Sequence, residues 1–181
     1  MNQNWVLPPH YEVSFMLLNN FKNSSSITDF IKKLEKLKYG IKLSENNIIN
    51  KIESYINKVN INAEFNIWIN ICGKKHSKIV FEYLSDEITQ INFCFFEEEI
   101  NKKAMKKLKQ LLKDLINEFN GIVGMIGWET VCHMLFFDIK DGYPNKEYNV
   151  KNLKNYTNND IYRDNEKWLN GVEEIIWSEN K

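Results

Sequence analysis

Residues 65–96, FNIWINICGKKHSKIVFEYLSDEITQINFCFF, decide the fold. Phe65, Ile67, Ile69 and Ile71 alternate with Asn66, Trp68, Asn70 and Cys72, which is the period of a strand with one face turned to a core. Residues 73–76 form a short polar turn, after which Ile79, Phe81 and Tyr83 alternate with Val80, Glu82 and Leu84. Residues 85–87 turn the chain again, and Ile91, Phe93 and Phe95 alternate with Asn92 and Cys94. The reading predicts three strands, near 64–72, 78–84 and 88–96. Connections this short cannot carry a parallel crossover, so the meander is antiparallel.

Working outward, Tyr11, Val13, Phe15 and Leu17 alternate with Glu12, Ser14, Met16 and Leu18, predicting a central strand near 11–18 whose second face turns apolar towards its end. Ser26 with Asp29 resembles a capping box before Ile27, Phe30, Ile31, Leu34 and Leu37, predicting a helix near 26–38. Ser44, with Leu43 and Ile48 placed as a hydrophobic staple, predicts a helix near 45–59.

Downstream, Ala104, Leu108, Leu111, Leu112, Leu115, Ile116 and Phe119 fall on one side of a helix near 100–119, with six lysines on the other. Glu97, Glu98 and Glu99 suit its N-terminal dipole, and the lysines suit a solvated face. A strand near 121–128 follows, with glycines that allow close approach. The apolar run 131–139 reads as a strand, with a short buried helix as the alternative. Residues 140–159 read as a long surface loop. Ile161, Trp168, Leu169, Val172 and Ile176 recur at helical intervals, predicting a C-terminal helix near 161–177.

The expected fold class is α+β: one domain over 1–181, a mainly antiparallel sheet packed by helices. The element order also divides into two β-α-β-β units, at 11–84 and 88–139. In that order alone it resembles the duplicated ligand-binding domains that act as drug or effector sensors in bacteria, with the helix near 45–59 as an insertion. The resemblance implies a small-molecule pocket.

Composition narrows the function. Lysine plus arginine and aspartate plus glutamate balance at 24 each, so no global field attracts nucleic acid or an anionic membrane. Arg163 is the single arginine, which leaves almost no bidentate forks for phosphate or guanine. No secretory signal precedes residue 10, and no apolar run reaches the length of a membrane span, so the expected home is the cytoplasm. Cys72, Cys94 and Cys132 lack a disulfide spacing and read as buried thiols.

No motif carries a cofactor. Cys72 and His76 have a C-x3-H spacing, and Cys132-His133 offers two more donors, yet neighbours on one strand point to opposite faces; no metal site is expected. A nucleophile with its base can be drawn from Cys132, His76 and Glu129, without a motif around them. Trp68, Glu82, Trp128 and Glu129 are the candidate ligand-binding residues, because aromatic surface and carboxylates meeting over one sheet face would form a pocket. The functional expectation is a non-enzymatic protein-binding module, in its most concrete form a small bacterial inhibitor or immunity protein that neutralises a toxin. The alternative is a small-ligand domain with its pocket near Trp128 and Glu129.

Overall fold

The computed structural model describes residues 10–18, 24–43, 62–84, 88–95, 100–129, 132, 137–138, 143–144 and 171–178. Its strands are β1 (Tyr11–Leu18), β2 (Lys42–Leu43), β3 (Asn62–Asn70), β4 (Lys74–Tyr83), β5 (Ile88–Phe95), β6 (Val123–Trp128), β7 (Phe137–Asp138), β8 (Tyr143–Pro144) and β9 (Val172–Trp177). Its helices are α1 (Ser24–Lys36) and α2 (Lys102–Phe119). Seven strands form an antiparallel sheet in the order β2-β3-β4-β5-β1-β6-β9, so the molecule is α+β but mostly sheet. β3, β4 and β5 are the meander, and β1 lies between β5 and β6, where both its faces are covered.

The period-two pattern sorts side chains between two faces. Val13, Phe15, Leu17, Ile67, Ile69, Ile79, Phe81, Ile91, Phe93 and Ile126 join one buried cluster with Phe30 and Leu34 of α1 and the leucine side of α2. Phe30 meets Phe81 edge-on at 5.6 Å and Phe119 at 4.3 Å, locking α1 to both the sheet and α2. Asp114 of α2 accepts hydrogen bonds from Tyr39 Oη at 2.7 Å and Gln110 Nε2 at 2.8 Å, and pairs with Lys38 at 2.8 Å. Burial alone would raise the Asp114 carboxyl, but these partners hold it below its ordinary value.

α2 begins where Asn101 accepts from Ala104 N at 2.9 Å and ends at Asn120, whose φ of 52° turns the chain left-handed. Gly124 is where the helix comes closest: a Cβ there would lie 2.4 Å from Leu112 Cδ1 and 2.7 Å from Ile116 Cδ1.

Several expectations are corrected. α1 runs from Ser24, so Ser26 is within its first turn and does not cap it. Residues 172–177 are a strand, not the end of a C-terminal helix. β6 would otherwise be a sheet edge, and Val172, Ile175, Ile176 and Trp177 are residues that suit pairing there. The pairing slips between Ile126/Gly127 and Glu174/Val172, leaving Glu173 as an extra residue. Because of this bulge Val172, Ile175 and Trp177 pack against a smaller apolar cluster around Met16, Val123 and Met125 while Ile176 packs against the main core, so the helical interval from Val172 to Ile176 joins opposite faces. Of the run expected as a strand near 131–139, residues 137–138 form β7, which pairs with β8, a short strand within the expected loop, in a separate two-stranded sheet; apart from Cys132 the rest of that run is outside the described residues. The division into units at 11–84 and 88–139 is not kept by the sheet, where β5 of the second unit lies between β4 and β1 of the first. The helix expected near 45–59 and residues 161–170 lie outside the described residues.

Gly124→Val is expected to lower stability by about 1–3 kcal/mol in urea unfolding, because Leu112 and Ile116 are themselves buried and have little room to withdraw. An unchanged midpoint would contradict the close packing of α2 on β6.

Candidate functional site

The second face of the sheet carries the polar half of the alternation. Across β1, β5 and β4 the register sets Ser14 opposite Asn92, Glu12 opposite Cys94, and Glu82 opposite Gln90. Glu12, Ser14, Gln90 and Asn92 are all buried, so their hydrogen bonds must be found inside the protein. Ser14 Oγ donates to Asn92 Oδ1 at 2.7 Å and accepts from the Cys132 amide at 3.0 Å. Asn92 Nδ2 donates to Glu82 Oε2 at 3.1 Å, and Gln90 Nε2 donates to the same oxygen. A directed chain therefore runs from Cys132 through Ser14 and Asn92 to the Glu82 carboxylate. Beside it, Met16, Ile88, Val123, Met125 and Cys132 form a smaller apolar cluster on the same face.

One row further along, His10 Nε2 lies 3.3 Å from Glu12 Oε1, and Cys94 Sγ lies 3.6 Å from that oxygen. The donor atoms of these three buried residues fall within 4.8 Å of one another. The reading of the sequence passed over this group. His10 and Glu12 are two apart, a spacing that puts both on one face of an extended chain, but their meeting with Cys94 depends on β1 pairing with β5, which spacing alone does not reveal.

The four expected ligand-binding residues are not brought together. Trp68 and Glu82 lie on the second face, since their neighbours Ile67, Ile69 and Phe81 face the helices. Trp128 stands on the helix face, opposite Tyr11 and edge-on to it at 4.9 Å. Glu129 is exposed, at a left-handed φ of 51°. Glu82 serves as the acceptor of two amides. Trp68 is half-buried near the sheet edge, with Lys74 Nζ 4.3 Å from its ring centroid and the His76 ring edge-on at 5.1 Å. On the helix face, a groove of about 350 Å³ lies between Tyr11 and α2, lined by Ile100, Met105, Lys102, Lys106, Lys109 and Glu173. Lys109 closes one end, donating to the Glu173 carbonyl at 3.2 Å and pairing with Glu174 at 2.9 Å.

The C-x3-H pair and the Cys132, His76 and Glu129 combination, from which no site is expected, do not assemble among the described residues. Cys72 packs against the helix-side core from a turn, with φ 57°, whereas His76 meets Trp68 on the other face. His133 is outside the described residues. Cys132 is fully buried and its thiol faces the Ser14 carbonyl at 3.2 Å. Burial pushes that thiol up to about 12, with the Glu12 and Glu82 carboxylates adding to the effect and the Ser14 hydrogen bond opposing it. Burial also pushes the Cys94 thiol up. Thiols held protonated are poor nucleophiles.

No family model matches the chain, and no curated protein matches it. Among solved structures, a chain from the crystal structure of the toxic C-terminal tip of CdiA from Pseudomonas aeruginosa in complex with immune protein is similar at a TM-score of 0.43 and 15% identity, covering 72% of this chain and 94% of that one. At that TM-score the two need not share a fold, and the likeness identifies neither a family nor a partner. Among the described residues, no helix is long and apolar enough to cross a membrane.

The buried thiol has a consequence for pH. The folded chain holds the Cys132 proton to higher pH than the unfolded chain, so this stabilisation is whole below the ordinary value of 9.0 and is lost as pH rises from there towards about 12. Urea midpoints are expected to fall across that window, and to fall less steeply in Cys132→Ala. Equal slopes would contradict the assignment.

Proposed function

We propose that the chain is a protein-binding module that acts by occupying a partner's surface, without chemistry of its own, in the manner of a small inhibitor or immunity protein. One observation carries the reading. Trp68 presents a half-buried indole on the outer part of the sheet, and Lys74 and His76 hold the ring from two sides. Tryptophan is among the residue types that dominate binding at protein interfaces, and a ring already fixed loses little further rotamer freedom when a partner covers it.

Two further features agree with binding rather than catalysis. Cys132 is buried and its thiol is held protonated, and Glu82 is committed to the sheet's own amides. The cytoplasm suits the three free cysteines, which an oxidising compartment would put at risk of pairing. The partner is taken to be a protein; neither nucleic acid nor a membrane surface is proposed.

The test is an affinity pull-down of the tagged chain from its native host, with a high-salt wash and mass spectrometry of what remains bound. One stoichiometric protein partner is expected. Trp68→Ala should weaken that complex by about 2 kcal/mol, roughly thirtyfold in Kd, while the variant keeps the parent fold by circular dichroism. Retention of no protein, or equal affinity in Trp68→Ala, would contradict the proposal.

A further inference from the structure

We propose that His10, Glu12 and Cys94 form a binding site for a divalent transition-metal ion of the zinc class on the second face of the sheet. The donor set is one imidazole nitrogen, one carboxylate oxygen and one sulfur, all three of which are zinc ligands. A thiolate among them disfavours magnesium and calcium, which take oxygen.

Two of the three donor separations support the same assignment, and the third, His10 to Cys94, is within 4.8 Å. Ligand bonds of about 2.0–2.2 Å to nitrogen and oxygen and about 2.3 Å to sulfur, at tetrahedral angles, separate neighbouring donors by about 3.3–3.5 Å for N···O and about 3.5–3.7 Å for S···O. His10 Nε2 and Glu12 Oε1 are 3.3 Å apart, and Cys94 Sγ and Glu12 Oε1 are 3.6 Å apart. As an ion pair the first distance is long, since charge-assisted N–H···O bonds settle near about 2.7–2.9 Å. As a pair of ligands on one ion it needs no adjustment.

The backbone holds these donors in place. Glu12 and Cys94 are direct register partners on β1 and β5, and His10 comes two residues before Glu12. On the other side of Glu12 stands Gly127 of β6, which brings no side chain to crowd the position. Lys78, opposite Cys94 on β4, engages Glu64 at 3.1 Å. His10, Glu12 and Cys94 are 7%, 8% and 2% exposed, so an ion here is shielded from bulk water and clamps the start of β1 to the end of β5. Binding converts the Cys94 thiol to a metal thiolate and releases its proton to solvent; no oxidant or reductant takes part. Three protein donors leave the fourth ligand of a tetrahedral ion to water or to a group outside this set. The site differs from both the Cys72–His76 and the Cys132-His133 combinations, and it replaces the expectation that the chain holds no metal.

The full chain, stripped with chelator and kept reduced, is titrated with Co²⁺ and then with Zn²⁺. We expect one equivalent of Co²⁺ to give a near-ultraviolet thiolate-to-cobalt charge-transfer band with the visible bands of a tetrahedral ion, and Zn²⁺ to bleach both. Cys94→Ser should abolish the charge-transfer band, His10→Gln should weaken binding by at least about tenfold, and Cys72→Ser and His76→Gln should leave both band and affinity as they are. Absence of the band in the parent chain overturns the proposal, as does a band that survives Cys94→Ser. Should Cys94→Ser fail to fold by circular dichroism, His10→Gln decides alone, and unchanged affinity in that variant overturns the site.

Discussion

Strand β1 has almost no solvent face, and the structure is organised around that constraint. Val13 and Phe15 are buried under helices, and Ser14 and Met16 are buried on the reverse side of the same strand. The apolar side is satisfied by packing. The polar side must be satisfied by hydrogen bonds within the protein, and the chain from the Cys132 amide through Ser14 and Asn92 to Glu82 does this with every donor pointing the same way. Bonds so aligned polarise one another, and the chain ends on a carboxylate that is only half-buried, so its charge keeps some contact with water.

Magnitudes decide what such a chain is for. A satisfied hydrogen bond contributes about 0.5–1.5 kcal/mol net, whereas a buried polar group left without its partner costs about 1–3 kcal/mol. The chain therefore adds modestly to stability and penalises alternatives heavily. A one-residue slip of β1 would carry Phe15 onto the polar face and drive Glu12 beneath α2. The same register that satisfies Ser14 brings Glu12, with His10 two residues before it on the same face, against Cys94, so the donor cluster follows from how the sheet is aligned.

Much of this was legible in the sequence, for a local reason. The meander's alternation and the leucine and lysine sides of α2 are periods read within one segment, and the apolar positions they mark are the ones that join the helix-side core. The C-terminal strand reads as a helix because the bulge at Glu173 breaks the period of two, leaving Val172 and Ile176 at a helical interval although they take opposite faces. Trp68, Glu82, Trp128 and Glu129 were grouped without knowledge of which face each strand residue takes; Trp128 stands against Tyr11 while Glu82 lies on the reverse side. His10, Glu12 and Cys94 were invisible because their meeting is a property of β1–β5 pairing across 82 positions of sequence between Glu12 and Cys94.

Ser14 holds Cys132 against the second face of the sheet, and the satisfaction of the buried polar side of β1 depends on that contact. Native-state hydrogen exchange of the Cys132 amide tests it most directly, because that amide is protected only if its bond to Ser14 Oγ persists. Protection comparable to the β1 amides is expected in the parent chain, with its selective loss in Ser14→Ala. A Cys132 amide that exchanges in the parent chain as fast as an open surface turn would contradict it.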